Sequence, residues 1–308
     1  MRRGRTRSPH RENLMHSTIE KLLAGGPVIT DGAWGTELQA RGLSVGDCPD
    51  AWNVTQPERV LEVARSYVSA GSRVILTNTF GANSIRLREC GVDLSVGEIN
   101  RGGVEISRRA AGETAMVFAS VGPSGKLILT GDVTADELRA AFEEQVNSIA
   151  AAGAHGIVIE TMSDLEEAVI AITAAKATGL PVVASMAFDS GQQDRTMMGV
   201  TPEQAAETLS RAGADVIGAN CGAGIAAFEN LCRRFRAVSD KPLWMKANAG
   251  LPQIVNGEIA YRADPADFAR AADALIQAGA NFIGGCCGTN PKFIRALSER
   301  HGAHEVKR

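Results

Sequence analysis

Two adjacent cysteines, Cys286 and Cys287, sit in the run Phe282-Ile283-Gly284-Gly285-Cys286-Cys287-Gly288-Thr289, right behind a short apolar stretch. Neighbouring side chains on a regular strand point to opposite faces, so both sulfurs reach one site only where the strand is irregular or ending, and the glycines permit that. A disulfide between adjacent residues is strained and rare, which leaves metal ligation as the chemistry to consider. Asn220-Cys221-Gly222 offers a third sulfur, again at the end of an apolar run. Three thiolates on one ion with a fourth position open would make a catalytic zinc site. Buried Cys is also a common packing residue, but two Gly-flanked clusters at strand ends favour ligation by Cys221, Cys286 and Cys287.

Three thiolates leave a zinc ion net negative, a poor Lewis acid that nevertheless keeps a coordinated sulfur nucleophilic. The ligand set therefore favours alkyl transfer to a thiol over hydrolysis. Asp31 and Glu160 close apolar runs and are candidates to hold a substrate ammonium. The amides around Gly32 are suited to a carboxylate, and Asn248 offers an oxygen to the open metal position. Gly222-Ala223-Gly224-Ile225-Ala226-Ala227 fits the loose form of a dinucleotide fingerprint, but it lies late in the chain beside a candidate ligand. Small residues letting the loop pass close to the metal account for it better. Cys90 and Cys232 read as packing or surface residues, while the loop of Cys48 is placed to fold over the site. The five histidines show no ligand spacing.

The chain has 308 residues, 44% hydrophobic and 22% charged, in the range of a folded globular protein. The formal net charge is −3, and residues 1–14 carry five Arg against one Glu, so the remainder is more acidic still. That balance argues against nucleic acid or an anionic membrane as partner. Six Cys do not form a disulfide framework, no apolar run is long enough to span a bilayer, and no secretory h-region follows the basic start. A cytoplasmic protein is expected, with residues 1–15 a flexible basic arm and 16–308 one domain.

The elements that must position these residues repeat. Apolar strands are predicted at Pro27–Gly32, Arg73–Phe80, Ala115–Pro123, Gly156–Met162, Pro181–Phe188, Val216–Cys221, Pro242–Gly250 and Phe282–Gly288. Helix starts are predicted at Thr55-Gln56-Pro57-Glu58, Thr134–Glu137, Ser163–Glu166, Thr201–Gln204 and Asp264-Pro265. A long loop is expected from Ala33 to Val54. Helices end at Ala70-Gly71, Ala152-Gly153, Ala212-Gly213 and Ala278-Gly279. Strands alternating with amphipathic helices imply parallel pairing, and eight such units imply a single-domain (β/α)8 TIM barrel, with an open doubly wound sheet as the alternative. The barrel gathers Asp31, Asn78, Glu160, Cys221, Asn248, Cys286 and Cys287 at the C-terminal mouth.

Asp31-Gly32-Ala33-Trp34-Gly35-Thr36, Leu76-Thr77-Asn78-Thr79-Phe80-Gly81, Ile159-Glu160-Thr161, Gly218-Ala219-Asn220-Cys221 and Gly284–Thr289 together resemble the zinc-dependent homocysteine S-methyltransferase family, over roughly Ile19 to Glu299. The chain is most similar there to the homocysteine-binding barrel of cobalamin-dependent methionine synthases. The resemblance implies zinc on Cys221, Cys286 and Cys287, homocysteine sulfur as fourth ligand, and the substrate ammonium held by Glu160 and the Asp31 region. It implies methyl transfer to L-homocysteine, giving L-methionine. Betaine-using relatives carry a Tyr where this chain has Gly81 and another where it has Thr161, which argues against a betaine donor. No Asp-x-His-x-x-Gly cobalamin signature is present. The resemblance thus implies a separate corrinoid or methyl-folate protein, or a small sulfonium donor such as S-methylmethionine or S-adenosylmethionine. The alternative is a zinc subunit that presents homocysteine and is inactive without a corrinoid partner.

Overall fold

Four helices stop on an Ala-Gly pair, and Gly71, Gly153, Gly213 and Gly279 all take φ between 85° and 101°. An L side chain is strained there, so the glycine ends the helix and turns the chain toward the next strand. A computed structural model describes residues 15–189, 193–255 and 258–302. The expected basic arm, but for Met15, lies outside the described residues.

The strands are β1 (Val28–Ile29), β2 (Val74–Ile75), β3 (Met116–Val121), β4 (Gly156–Met162), β5 (Val182–Met186), β6 (Val216–Gly224), β7 (Leu243–Asn248), β8 (Gln253–Val255), β9 (Glu258–Ala260) and β10 (Ala280–Gly285). Eight of them are parallel, in the order β1-β10-β7-β6-β5-β4-β3-β2. A Thr30–Val74 bridge joins β1 to β2 and closes the ring. Helices lie between the strands, so the chain is a single-domain (β/α)8 TIM barrel, as the alternation predicts.

Side chains alternate in and out along each strand. Val28, Val74, Phe118, Val158, Val183, Val216, Trp244 and Phe282 fill the lower interior, and Ile19 and Leu22 of the helix Ser17–Leu23 plug it from below. Their alternates, such as Ile29, Ile75, Val117, Ile157 and Ile283, pack outward on the helices. Each fully buried aliphatic or aromatic side chain contributes about 1.5–3 kcal/mol. One strand period above the apolar layer the interior turns polar: Ser120 follows Phe118, Glu160 follows Val158, Ser185 follows Val183 and Lys246 follows Trp244. The strand period itself thus delivers titratable groups to the floor of the C-terminal mouth.

Several sequence expectations change in detail. The second strand is short, because the Thr77 and Thr79 hydroxyls pair with Ser120 N and Ser120 O in place of a backbone ladder. The expected box at Thr55 does not form: Thr55 Oγ1 donates back to Ala51 O, and the helix begins at Pro57. The cap expected at Ser163 belongs to Asp164, whose carboxylate accepts from Glu166 N and Glu167 N. The boxes at Thr134 and Thr201 are present as expected. The loop from Ala33 to Val54 contains the short helix Gly35–Gln39, a tight turn at Pro49–Ala51 and the start of the helix Trp52–Thr55. The helices Ser84–Glu89 and Val96–Ala111 are among those with no counterpart in the sequence reading. Gly97, Gly102 and Gly103 dilute the helical pattern of the second, although Ser95 and Glu98 form a full capping box. The antiparallel β8–β9 pair has no counterpart in that reading either.

Candidate metal centre

Cys221 is presented by a break in β6. Pairing with β7 shifts register between Asn220 and Gly224, and Cys221 itself takes φ 61°. A matching shift interrupts β4 against β5 between Ile159 and Met162, where Thr161 also takes φ 61°. Left-handed backbone costs a non-glycine residue on the order of 1–3 kcal/mol and persists only where neighbours enforce it. Asn220, fully buried and next to Cys221 in the chain, ties the one turn to the other. Its Oδ1 accepts from Thr161 N at 2.8 Å and Ser185 Oγ at 2.5 Å, and its Nδ2 donates to Thr161 Oγ1 at 2.6 Å. The two bulges re-aim Cys221 and the chain beside Glu160 toward the barrel axis.

Cys286 and Cys287 follow β10, where the strand has already ended. Cys286 N donates to Ala247 O, Ala249 N donates to Cys287 O, and Thr289 folds back to Cys286 O through both N and Oγ1. The resulting turn lets consecutive sulfurs face one point. The Sγ atoms of Cys221, Cys286 and Cys287 lie within 4.8 Å of one another, with Cys221 and Cys287 at 3.7 Å. Donation from Cys286 and Cys287 holds the Cys221 thiol down to about 3. The same contacts with Cys221 push Cys286 well up and Cys287 up to about 11. Sulfurs this close oppose one another's ionisation, and a cation among them would relieve that repulsion. Asn248 hydrogen-bonds Cys221 while its buried Oδ1 has no partner. Three sulfurs plus an unsatisfied oxygen alongside fit a thiophilic divalent ion.

The thiols open on a cavity of about 890 Å³, which Glu160 and Lys246 also line. Glu160 Oε1 accepts from Ser120 Oγ at 2.5 Å, and burial pushes the Glu160 carboxyl up. Burial alone would lower Lys246, but Asp31 and Glu160 outweigh it and hold the ammonium charged. Asp31, fully buried, has both oxygens engaged: Oδ1 with Lys246 Nζ at 2.5 Å, Oδ2 with Trp34 Nε1 and Leu76 N, each at 2.7 Å. Gly32 reaches the cavity wall beside it. Tyr261, delivered by the β8–β9 hairpin, lays its ring over Gly288 and bonds Cys287; burial, then the thiols, push its hydroxyl up to about 12.

β6 and β2 stand on opposite sides of the ring. Asp50 is fixed over the β2 side by the Gly81 amide at 3.0 Å, and burial pushes its carboxyl up to about 6. Cys48 and Cys90 also line the cavity, whereas Cys232 is buried among helices. Sequence reasoning assigned no role to Lys246, Asn220, Tyr261 or Asp50. Lys246 was readable as the inward residue after Trp244. Asn220 carried only its place beside Cys221, and Tyr261 and Asp50 carried no local signal, since separate excursions of the chain bring them in.

The family described as homocysteine S-methyltransferase matches residues 28–301. Methionine synthase of Mycobacterium tuberculosis is 28% identical over 306 residues, which span 93% of this chain but 26% of that protein. The chain thus spans about a quarter of the length of the methionine synthases it matches. Bovine betaine–homocysteine S-methyltransferase 1 is 29% identical, covering 94% of this chain and 75% of that protein. In fold, the metallated homocysteine methyltransferase MmuM of Escherichia coli superposes with a TM-score of 0.75 at 24% identity, covering 89% of this chain and 96% of that one.

Proposed function

The chain belongs to the homocysteine S-methyltransferase family, and on that premise we propose that it moves a methyl group from a small sulfonium donor to the thiol of L-homocysteine, giving L-methionine, with zinc held by Cys221, Cys286 and Cys287. The convergence of the three sulfurs within 4.8 Å carries this reading. Zinc, when bound, would lower the pKa of the acceptor thiol, so that its proton is lost to solvent and the sulfur stays nucleophilic. The remaining work falls to the chain. Glu160 receives the acceptor's ammonium, and the amides around Gly32 receive its carboxylate. Asn248, bonded to Cys221 and with its own oxygen unpartnered, would offer that oxygen to the open metal position. The C–S bond to the acceptor forms as the donor's C–S bond breaks in line, and the electron pair leaves with the donor. No general base is needed at that moment.

The cavity is larger than homocysteine requires, and its far half supports the donor class. Asp50 there offers a carboxylate, with Trp34 and Phe80 as aromatic walls. A cationic donor is matched by both. Gly81 and Thr161 stand where betaine-using relatives are expected to carry tyrosines, which weighs against betaine. A corrinoid or methyl-folate partner is the second reading, supported by the similarity to methionine synthases. Thiols that must stay reduced to ligate metal favour the cytoplasm, and among the described residues no helix is long and apolar enough to cross a membrane.

The test is titration of the purified, reduced protein with L-homocysteine while metal content and proton release are followed. One zinc per chain and about one proton released per thiol bound are expected. A metal-free protein indifferent to homocysteine overturns the reading, as does Cys286→Ser with full metal and turnover. Turnover with free S-methylmethionine separates a self-sufficient enzyme from one that needs a corrinoid partner.

A further inference from the structure

Lys246 is a buried cation in the wall of the cavity, 2% exposed, with Nζ 5.7 Å from the Trp244 ring centroid and 2.5 Å from Asp31 Oδ1. The other Asp31 oxygen is filled by Trp34 Nε1 and Leu76 N. Asp31 therefore spends both oxygens inside the protein. Glu160 differs: it gives one oxygen to Ser120 and lines the cavity. A buried carboxylate paired so closely with an ammonium presents little net charge beyond the pair, although Lys246 also acts on Glu160, and breaking such a pair by removing one partner leaves an uncompensated charge.

We propose that Lys246 determines the head-group specificity of the acceptor site: it holds Asp31 as a permanent counter-ion, so that Glu160 alone receives the acceptor's ammonium and Asp31 acts only through Lys246. This rests on the function proposed above and goes beyond it, because the two carboxylates take different roles. Removing either partner of the pair exposes the charge of the other to the head group. Asp31→Asn leaves Lys246 unbalanced and shifts preference toward anionic thiols. Lys246→Met leaves Asp31 unbalanced and shifts preference toward cationic ones. The double variant carries neither charge and returns to the wild-type order.

The experiment is calorimetric titration of the zinc-loaded, reduced protein with three thiols: L-homocysteine, its des-amino analogue γ-mercaptobutyrate, and its decarboxylated analogue γ-mercaptopropylamine. The ratio of affinities for the cationic over the anionic analogue should fall about tenfold in Asp31→Asn and rise about tenfold in Lys246→Met, as expected for one uncompensated charge a few ångströms away at intermediate dielectric. It should return to the wild-type value in the double variant and fall in Glu160→Gln. If Lys246→Met fails to fold, Asp31→Asn and the double variant decide the matter. A double variant that loses the cationic analogue as fully as Glu160→Gln makes Asp31 a direct ammonium ligand and overturns the proposal. Wild-type protein that binds none of the three thiols overturns both this and the function it rests on, whereas homocysteine binding with an unchanged ratio in the single variants overturns this alone.

Discussion

Replacing Asn220 by Ala tests whether one side chain holds the two strained turns of the site. The substitution deletes bonds to Thr161 N, Thr161 Oγ1 and Ser185 Oγ at 2.8, 2.6 and 2.5 Å. Ser185 is 1% exposed, so its hydroxyl is left without water, and Thr161 N loses its partner inside a strand interruption. Two orphaned polar groups at about 1–2 kcal/mol each give a loss of about 3 kcal/mol. For a domain of this size that corresponds to a fall in Tm of roughly 6 °C. The effect on the metal is separate. Released from Asn220, Thr161 and Cys221 relax from φ 61° toward ordinary backbone, and Cys221 turns away from Cys286 and Cys287. Loss of an outer-shell support typically costs about 10–100-fold in metal affinity. The assay pairs thermal unfolding with zinc competition against a chromophoric chelator. Asn220→Asp is the control, because its carboxylate still accepts from Thr161 N and Ser185 Oγ, and Thr161 can donate to it. That variant should retain most of the stability but weaken zinc, since it adds negative charge beside the thiolates. Wild-type Tm and wild-type zinc affinity in Asn220→Ala would refute the argument.

Further expectations concern other parts of the site. Burial raises Asp50 to about 6 from 3.8, so between those values the folded protein holds a proton that the unfolded chain has released, and stability falls as pH rises through the window by about 3 kcal/mol. Asp50→Asn should gain on wild type across that window in urea denaturation at a series of pH values; parallel profiles would contradict the buried-carboxyl account. Gly288→Ala places a Cβ 2.1 Å from Tyr261 Cγ at a backbone φ of 78°. It should expel the ring from Cys287, change the near-UV circular dichroism and weaken zinc, and an unaltered spectrum would show that the turn tolerates the side chain. Cys232→Ala removes a buried thiol whose contacts are Leu275 O and Ala278 O. A loss of about 1 kcal/mol with unchanged metal stoichiometry is expected, and loss of the metal would contradict the three-thiol assignment.

The barrel was legible because its information is local and repeated. An apolar run, a capped amphipathic helix and a terminal glycine can each be read within a dozen residues, and the Gly-Gly-Cys-Cys-Gly run announces a strand that must end. Where side chains replaced backbone partners, as Thr77 and Thr79 do on Ser120, or where glycines diluted a helix, as in Val96–Ala111, the local pattern misled. The strand period also places Glu160 and Lys246 inside the ring, so the presence of both charges was contained in the sequence. Their pairing was not. Asp31 and Lys246 are 215 residues apart, and only closure of the ring brings β1 and β7 to either side of β10. Sequence order alone determined which residue types reach the mouth, since alternation along a strand is a property of the backbone. Which carboxylate pairs with the lysine, which three thiols meet and which asparagine ties the bulges together were decided by tertiary structure, because electrostatic and hydrogen-bond partners are chosen by distance in space.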